Sequence, residues 1–121
     1  MEGAMGFVDA IKSGFRNYVN FSGRASRSEF WYWVLFSLIA AFAAAILDGI
    51  IGFTLFYPIV SLGLFLPGLA VTVRRLHDVD KSGWWFLIVF TGIGAIVLIV
   101  WYCTKGTPGP NRFGPDPLGG M

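Results

Sequence analysis

A chain of 121 residues provides for one domain. Hydrophobic residues make up 55% and charged residues 13% of it, against ~25% charged in a typical soluble domain, so a soluble fold of this size would lack the polar groups to cover its large surface. The net charge of +2 is too small and scattered for a nucleic-acid footprint, and the single cysteine, Cys103, excludes an internal disulfide and any multi-cysteine metal site.

Charge-free windows set the class. Residues 30–47, 49–73 and 82–104 carry no Asp, Glu, Lys or Arg over 18, 25 and 23 positions. A helix crosses a hydrocarbon core of ~30 Å with ~20 apolar residues. The buried helices of a soluble bundle would show polar outer stripes, and these windows are apolar all round. The expected fold is therefore all-α: a polytopic membrane protein with three transmembrane helices, preceded by an N-terminal amphipathic helix at the interface.

That first helix is expected over residues 5–20. Phe7, Val8, Ile11, Phe15, Tyr18 and Val19 follow one helical face. Asp9, Lys12, Ser13, Arg16 and Asn17 fall largely on the other. The apolar face either lies in lipid or packs on the rest of the chain. Ser22-Gly23 ends the helix, and Ser26 with Glu29 has the form of a capping box. Arg24 and Arg27 flank it where guanidinium can meet lipid phosphate. Phe30, Trp31, Tyr32 and Trp33 supply an interfacial belt. The apolar run continues past Ala43-Ala44-Ala45 without a polar stretch, which argues against a cleaved signal.

The first crossing is expected over residues 30–48, with Asp48 roughly 27 Å from Phe30 at 1.5 Å per residue, hence at the far interface, where it ends the helix and meets water. The second is expected over residues 54–74. Pro67 inside it removes a backbone hydrogen bond and crowds the carbonyl of Gly63. A polar loop follows at 74–83, holding Arg74, Arg75, His77, Asp78, Asp80 and Lys81. Trp84 and Trp85 anchor the third segment, 84–103. Its central Thr91-Gly92-Ile93-Gly94 marks either close packing or a break into a re-entrant hairpin. Twenty residues favour one crossing, with the hairpin as runner-up. The tail, residues 104–121, is turn chemistry throughout, and is either a cap held by Asn111, Arg112 and Phe113 or a loose end.

Three crossings place seven basic residues on the side of the N-terminus and two, Lys105 and Arg112, on the other. The positive-inside rule then puts the N-terminus in the cytoplasm; the hairpin alternative gathers all nine on one side. Helix pairing brings Arg24 and Arg27 beside Arg74 and Arg75, and anions must intervene. Glu29, Asp78 and Asp80 are internal candidates, and anionic lipid headgroups are external ones. The expected lipid or partner face is Arg24, Arg27, Arg74, Arg75, His77, Asp78, Lys81, Trp84 and Trp85.

No nucleophile motif, phosphate loop or CxxC is present. One histidine and two carboxylates fall below the three-ligand habit of catalytic zinc. The expectation is a non-enzymatic membrane module with no cofactor, no metal and no nucleic acid, binding anionic lipid, a membrane-protein partner or further copies of itself as a homo-oligomer. An oligomeric pore or transporter component is the alternative, and a lipid-phosphate enzyme using His77 and Asp78 comes third.

Gly23-Arg24-Ala25-Ser26-Arg27, Phe30-Trp31, Arg74-Arg75-Leu76-His77-Asp78, Ser82-Gly83-Trp84-Trp85, Gly106-Thr107 and Asn111-Arg112-Phe113-Gly114-Pro115 together resemble the bacterial inner-membrane family catalogued as domain of unknown function 805. The resemblance runs from about Tyr18 to Pro117, with one departure at Pro110, where the family pattern has an acidic residue. It implies a multi-pass inner-membrane location and no agreed activity.

Overall fold

The computed structural model describes residues 5–118, so the last three residues of the tail lie outside it. The described residues form helix α1 (Phe7–Arg16), α2 (Arg27–Ile51), α3 (Phe56–Asp78), a 3₁₀ helix (Gly83–Thr91) and α4 (Ile93–Cys103), with no named strand among them. Two of these, α2 and α3, are long and apolar enough to cross a membrane. They pack antiparallel and leave large apolar side chains such as Leu38, Phe42 and Leu62 turned outward, as helices solvated by lipid do.

The third segment is not one continuous helix but folds back on itself at Gly92. It is the expected single span at 84–103 that the structure corrects. Gly92 takes φ +76, a left-handed conformation, and separates a 3₁₀ arm from an α-helical arm. Nine 3₁₀ residues rise about 18 Å and eleven α-helical residues about 16 Å, so each arm reaches about half of a ~30 Å core. Both ends of the hairpin meet the end of α3: Gly83 packs on Val73, and the carbonyls of Tyr102 and Thr104 accept from Arg75. Thr91 satisfies the apex, its hydroxyl donating to Ile88 O at 2.7 Å and accepting from Gly94 N at 2.9 Å. Gly94 lies so close to the Ile88 carbonyl that a Cβ would collide with it. Break and close packing, read as alternatives for this stretch, occur two residues apart.

Helix α1 lies across α2 and α3. Its buried side is the small one, Ala10, Ser13 and Gly14, with Gly14 against the Trp33 ring so tightly that a Cβ there would overlap it. Phe15 meets Trp33 and Phe36 edge-on, at 5.2 and 5.9 Å between centroids, while Val8 and Val19 stay exposed. The chain then leads Tyr18 to α3, where its hydroxyl donates to Gly63 O. The helix is thus docked through a narrow small-residue side, with part of its apolar face left outside.

The far turn is organised by Asp48. Its carboxylate accepts from the backbone N–H groups of Leu55, Phe56 and Tyr57 at 3.0, 2.6 and 3.0 Å. Three of the orphan amides at the start of α3 are satisfied by the last charged residue of α2. Asp48 stands at the far end of α2 as expected, and at 9% exposed its carboxylate turns onto the start of α3.

Candidate functional site

The polar cluster at the other end begins with where α3 stops. The helix runs through Arg74–Asp78, a stretch expected from its polarity to be loop. Lys81 N donates to Leu76 O and Asp80 N to His77 O, both at 2.9 Å, and Asp80 sits at φ +61. This 6→1 and 5→2 pair is a Schellman closure, with an aspartate in the position that glycine usually takes. The polar loop is therefore only Val79–Ser82. Arg74, Arg75, His77 and Asp78 have fixed helical directions.

Those directions put Asp78 between two guanidiniums. Arg24 Nε lies 2.9 Å from Oδ1 and Arg75 Nη1 2.6 Å from Oδ2. Arg75 is fully buried; besides Asp78 it donates to the carbonyls of Tyr102 and Thr104 and, at 3.4 Å, to Ala25 O. Arg24 Nη1 donates to Gly109 O at 2.7 Å and Nη2 to Thr107 O at 2.5 Å. Backbone bonds complete the clasp, Ala25 N to Arg74 O at 3.0 Å and Thr107 N to Asp78 O at 2.8 Å. Gly106 passes the Asp78 carboxylate too closely for any side chain.

A second pair lies at the seam with α1. Ser26 caps α2, accepting from Glu29 N at 3.3 Å, as the capping box predicts. The Glu29 carboxylate, however, receives Arg74 Nη1 and the Ser13 hydroxyl, each at 2.8 Å. Arg74 Nε and Nη2 and Trp33 Nε1 are buried without a partner among the described residues. Three guanidiniums (Arg24, Arg74, Arg75) thus face Glu29, Asp78 and, at 4.0 Å from Arg24, Asp116. Internal carboxylates and carbonyls balance the charge, as burial of ions requires.

The tail is an ordered cap. Asn111 Nδ2 donates to His77 O at 3.0 Å, and Phe113 stacks on the His77 ring at 3.9 Å and 1°. Arg112 reaches Asp80 at 3.2 Å in an exposed pair. His77 Nδ1 lies 2.8 Å from Gly23 O, a carbonyl that can only accept, so this nitrogen carries the proton. Because the tail closes on the loop at the end of α3, Lys105 and Arg112 join the other basic residues. The expected seven-to-two division is corrected to nine at one end.

The predicted face accordingly divides. Arg24, Arg74, Arg75, His77 and Asp78 are buried in the clasp and do not form a surface. Arg27, Trp84 and Trp85 are exposed. Arg27 makes one bond, to Cys103 O at 3.2 Å, and Lys81 lies over the Trp101 ring at 5.3 Å, half-buried. Asp116 and the Gly109 carbonyl belong to the cluster but gave no signal in the sequence, and Gly106-Thr107 entered only through the family resemblance, since a backbone carbonyl that accepts from arginine has no residue signature. Among the described residues no three His, Cys, Asp or Glu side chains stand close enough to hold a metal.

Residues 18–115 match the family model described as "Protein of unknown function (DUF805)". The chain is 46% identical over 111 residues to inner membrane protein YhaH of Escherichia coli strain K12, which covers 84% of this chain and 90% of that protein. It is 47% identical over 105 residues to inner membrane protein YhaI of the same strain, covering 84% and 89%. No solved structure matches the chain.

Proposed function

The chain belongs to the DUF805 family of membrane proteins, and from that premise we propose that it is a non-enzymatic inner-membrane module whose cytoplasmic rim binds anionic lipid headgroups. The observation that carries this reading is the division of the cations. The clasp consumes Arg24, Arg74 and Arg75 internally. Lys12, Arg16, Arg27 and Lys105 stay exposed, and none of them has a carboxylate partner among the described ion pairs. Juxtamembrane cations of this kind each contribute ~1 kcal/mol toward an anionic leaflet.

In this reading α2 and α3 span the bilayer, the hairpin enters and leaves on one side, and both termini are cytoplasmic by the positive-inside rule. His77 and Asp78 support a structural role over a catalytic one: the ring is held between Gly23 O and Phe113, and the carboxylate is held by two arginines.

The test has two arms. In a Cys103→Ser background, single cysteines at Lys12, Lys105 and Phe53 are labelled in intact cells and inside-out vesicles. Lys12 and Lys105 label from the cytoplasmic side and Phe53 from the other; labelling of Lys12 and Lys105 from opposite sides rejects the topology. In bilayers of mixed phosphatidylglycerol and phosphatidylethanolamine, Lys12→Gln, Arg16→Gln, Arg27→Gln and Lys105→Gln together abolish enrichment of the anionic lipid around the protein. Unchanged enrichment rejects the lipid reading.

A further inference from the structure

We infer that the groove between α3 and the 3₁₀ arm is a binding site for one acyl chain of an anionic phospholipid, whose phosphate sits at Lys81 and Ser82. The inference rests on the membrane reading above and adds a specific site to it.

One wall is a stripe on α3: Phe65, Leu69, Val73 and His77 recur every four residues and line the same groove, of about 490 Å³. Residues four apart share a helix face. From Phe65 to His77 the stripe spans about 18 Å at 1.5 Å per residue, and one leaflet of a ~30 Å core is about 15 Å deep. The groove therefore has the length of a single lipid tail. Trp84 and Leu87 of the 3₁₀ arm form the opposing wall. Three of the four stripe residues are apolar. The polar one, His77, stands at the end where the loop begins, together with Ser82. An amphiphile with its head at the loop matches this gradient.

Charge selects the head. Within the turn that closes the mouth, Asp78 is held by Arg24 and Arg75, and Asp80 by Arg112. Lys81 has no carboxylate among the described ion pairs, and its ammonium lies over the Trp101 ring at 5.3 Å. Lys81 immediately precedes the groove-lining Ser82 in the chain, and its flexible side chain carries the one charge of the turn that no described carboxylate holds. The Ser82 hydroxyl accepts from Trp84 N at 3.3 Å and so retains its hydrogen to donate. An ammonium and a hydroxyl donor complement a phosphate monoanion.

The gap exists because of the hairpin. Gly83 meets Val73 at the mouth, where a Cβ would fall 2.7 Å from Val73 Cγ1. Below that contact the groove opens between Phe65 and Leu69 of α3 and Leu87 of the 3₁₀ arm.

The experiment uses the unmodified chain in nanodiscs containing a phosphatidylglycerol with a diazirine in its acyl chain, followed by peptide mapping. Labelling concentrated on Phe65, Leu69, Val73 and Leu87 is expected. Equal labelling of Leu38 and Phe42, which face outward from α2, would mean annular lipid only and overturn the site. A chain-to-chain cross-link through the groove would place a second copy there and also overturn it. Leu87→Trp, at a half-exposed position, fills the groove and removes the concentrated labelling without lowering the unfolding temperature. Lys81→Gln leaves the chain in place but reduces preference for phosphatidylglycerol over phosphatidylethanolamine about fivefold, the size of one basic residue at a headgroup surface. Groove labelling that survives Lys81→Gln with no change in headgroup preference overturns the phosphate assignment. Loss of rim enrichment with groove labelling intact would reject the rim reading alone.

Discussion

Tyr18 donates its hydroxyl at 2.5 Å to the carbonyl of Gly63, four residues before Pro67 and left by it without a helical donor. The side chain of the segment after α1 therefore repairs the defect that proline makes in α3. In lipid such a carbonyl has no water to turn to. Tyr18→Phe should cost about 1 kcal/mol, the net worth of one hydrogen bond. In a Pro67→Ala background, where residue 67 supplies the missing N–H, the same change should cost almost nothing. Unfolding of the four proteins in a double-mutant cycle checks the coupling; additive effects would mean the two groups act independently.

The Asp78 clasp predicts a stability loss with a local signature. Asp78→Asn leaves Arg24 and Arg75 buried without their shared counter-charge, a change in the range of about 3–5 kcal/mol. Gly106→Ala leaves every charge in place but drives a methyl into the carboxylate. Both should release the tail, read as faster tryptic cleavage after Lys105 and Arg112 in detergent. Cleavage at the native rate in Gly106→Ala would show that the tail is held elsewhere.

Docking of α1 should depend on Gly14 and Glu29 separately. Gly14→Leu collides with Trp33 and should detach α1 while leaving the Arg74–Glu29 pair. Glu29→Gln should destabilise more, because Arg74 then loses the one carboxylate that its guanidinium contacts. Limited proteolysis between residues 17 and 26 separates the two: detachment exposes this link in Gly14→Leu at unchanged global stability.

At the opposite end, Asp48→Ala should uncap α3 at a cost of about 1–2 kcal/mol, and Asp48→Asn should cost less because one acceptor oxygen remains. Hydrogen exchange at Leu55, Phe56 and Tyr57 is the direct readout, with protection lost in Ala and partly kept in Asn.

Much of this was legible in residue order. Charge-free length identifies α2 and α3, and Ser26 with Glu29 marks the start of α2. Pro67 points to the orphan carbonyl of Gly63, though not to Tyr18 as its partner, because a contact 45 residues away has no local pattern. The third apolar run misleads for a physical reason. Hydropathy fixes how much of a segment avoids water, while the direction it takes was decided by one backbone angle at Gly92 and the close approach at Gly94. The basic face misleads similarly: composition places four arginines at one end, but only helical phase decides that Arg74 and Arg75 turn inward while Arg27 turns out. The turn-rich tail offered Asn111, Arg112 and Phe113 as a cap or a loose end; their seat on His77 and Asp80 came from the fold.

The Arg24 clasp also orders the protein's assembly in time. Its carbonyl partner in Thr107 is translated 83 residues after it, once both long helices have been made. Until then a cation destined for burial must stay hydrated. The segment after α4 thus acts as a latch, and a nascent chain arrested at Cys103 would hold its helices without the bonds that lock Arg24.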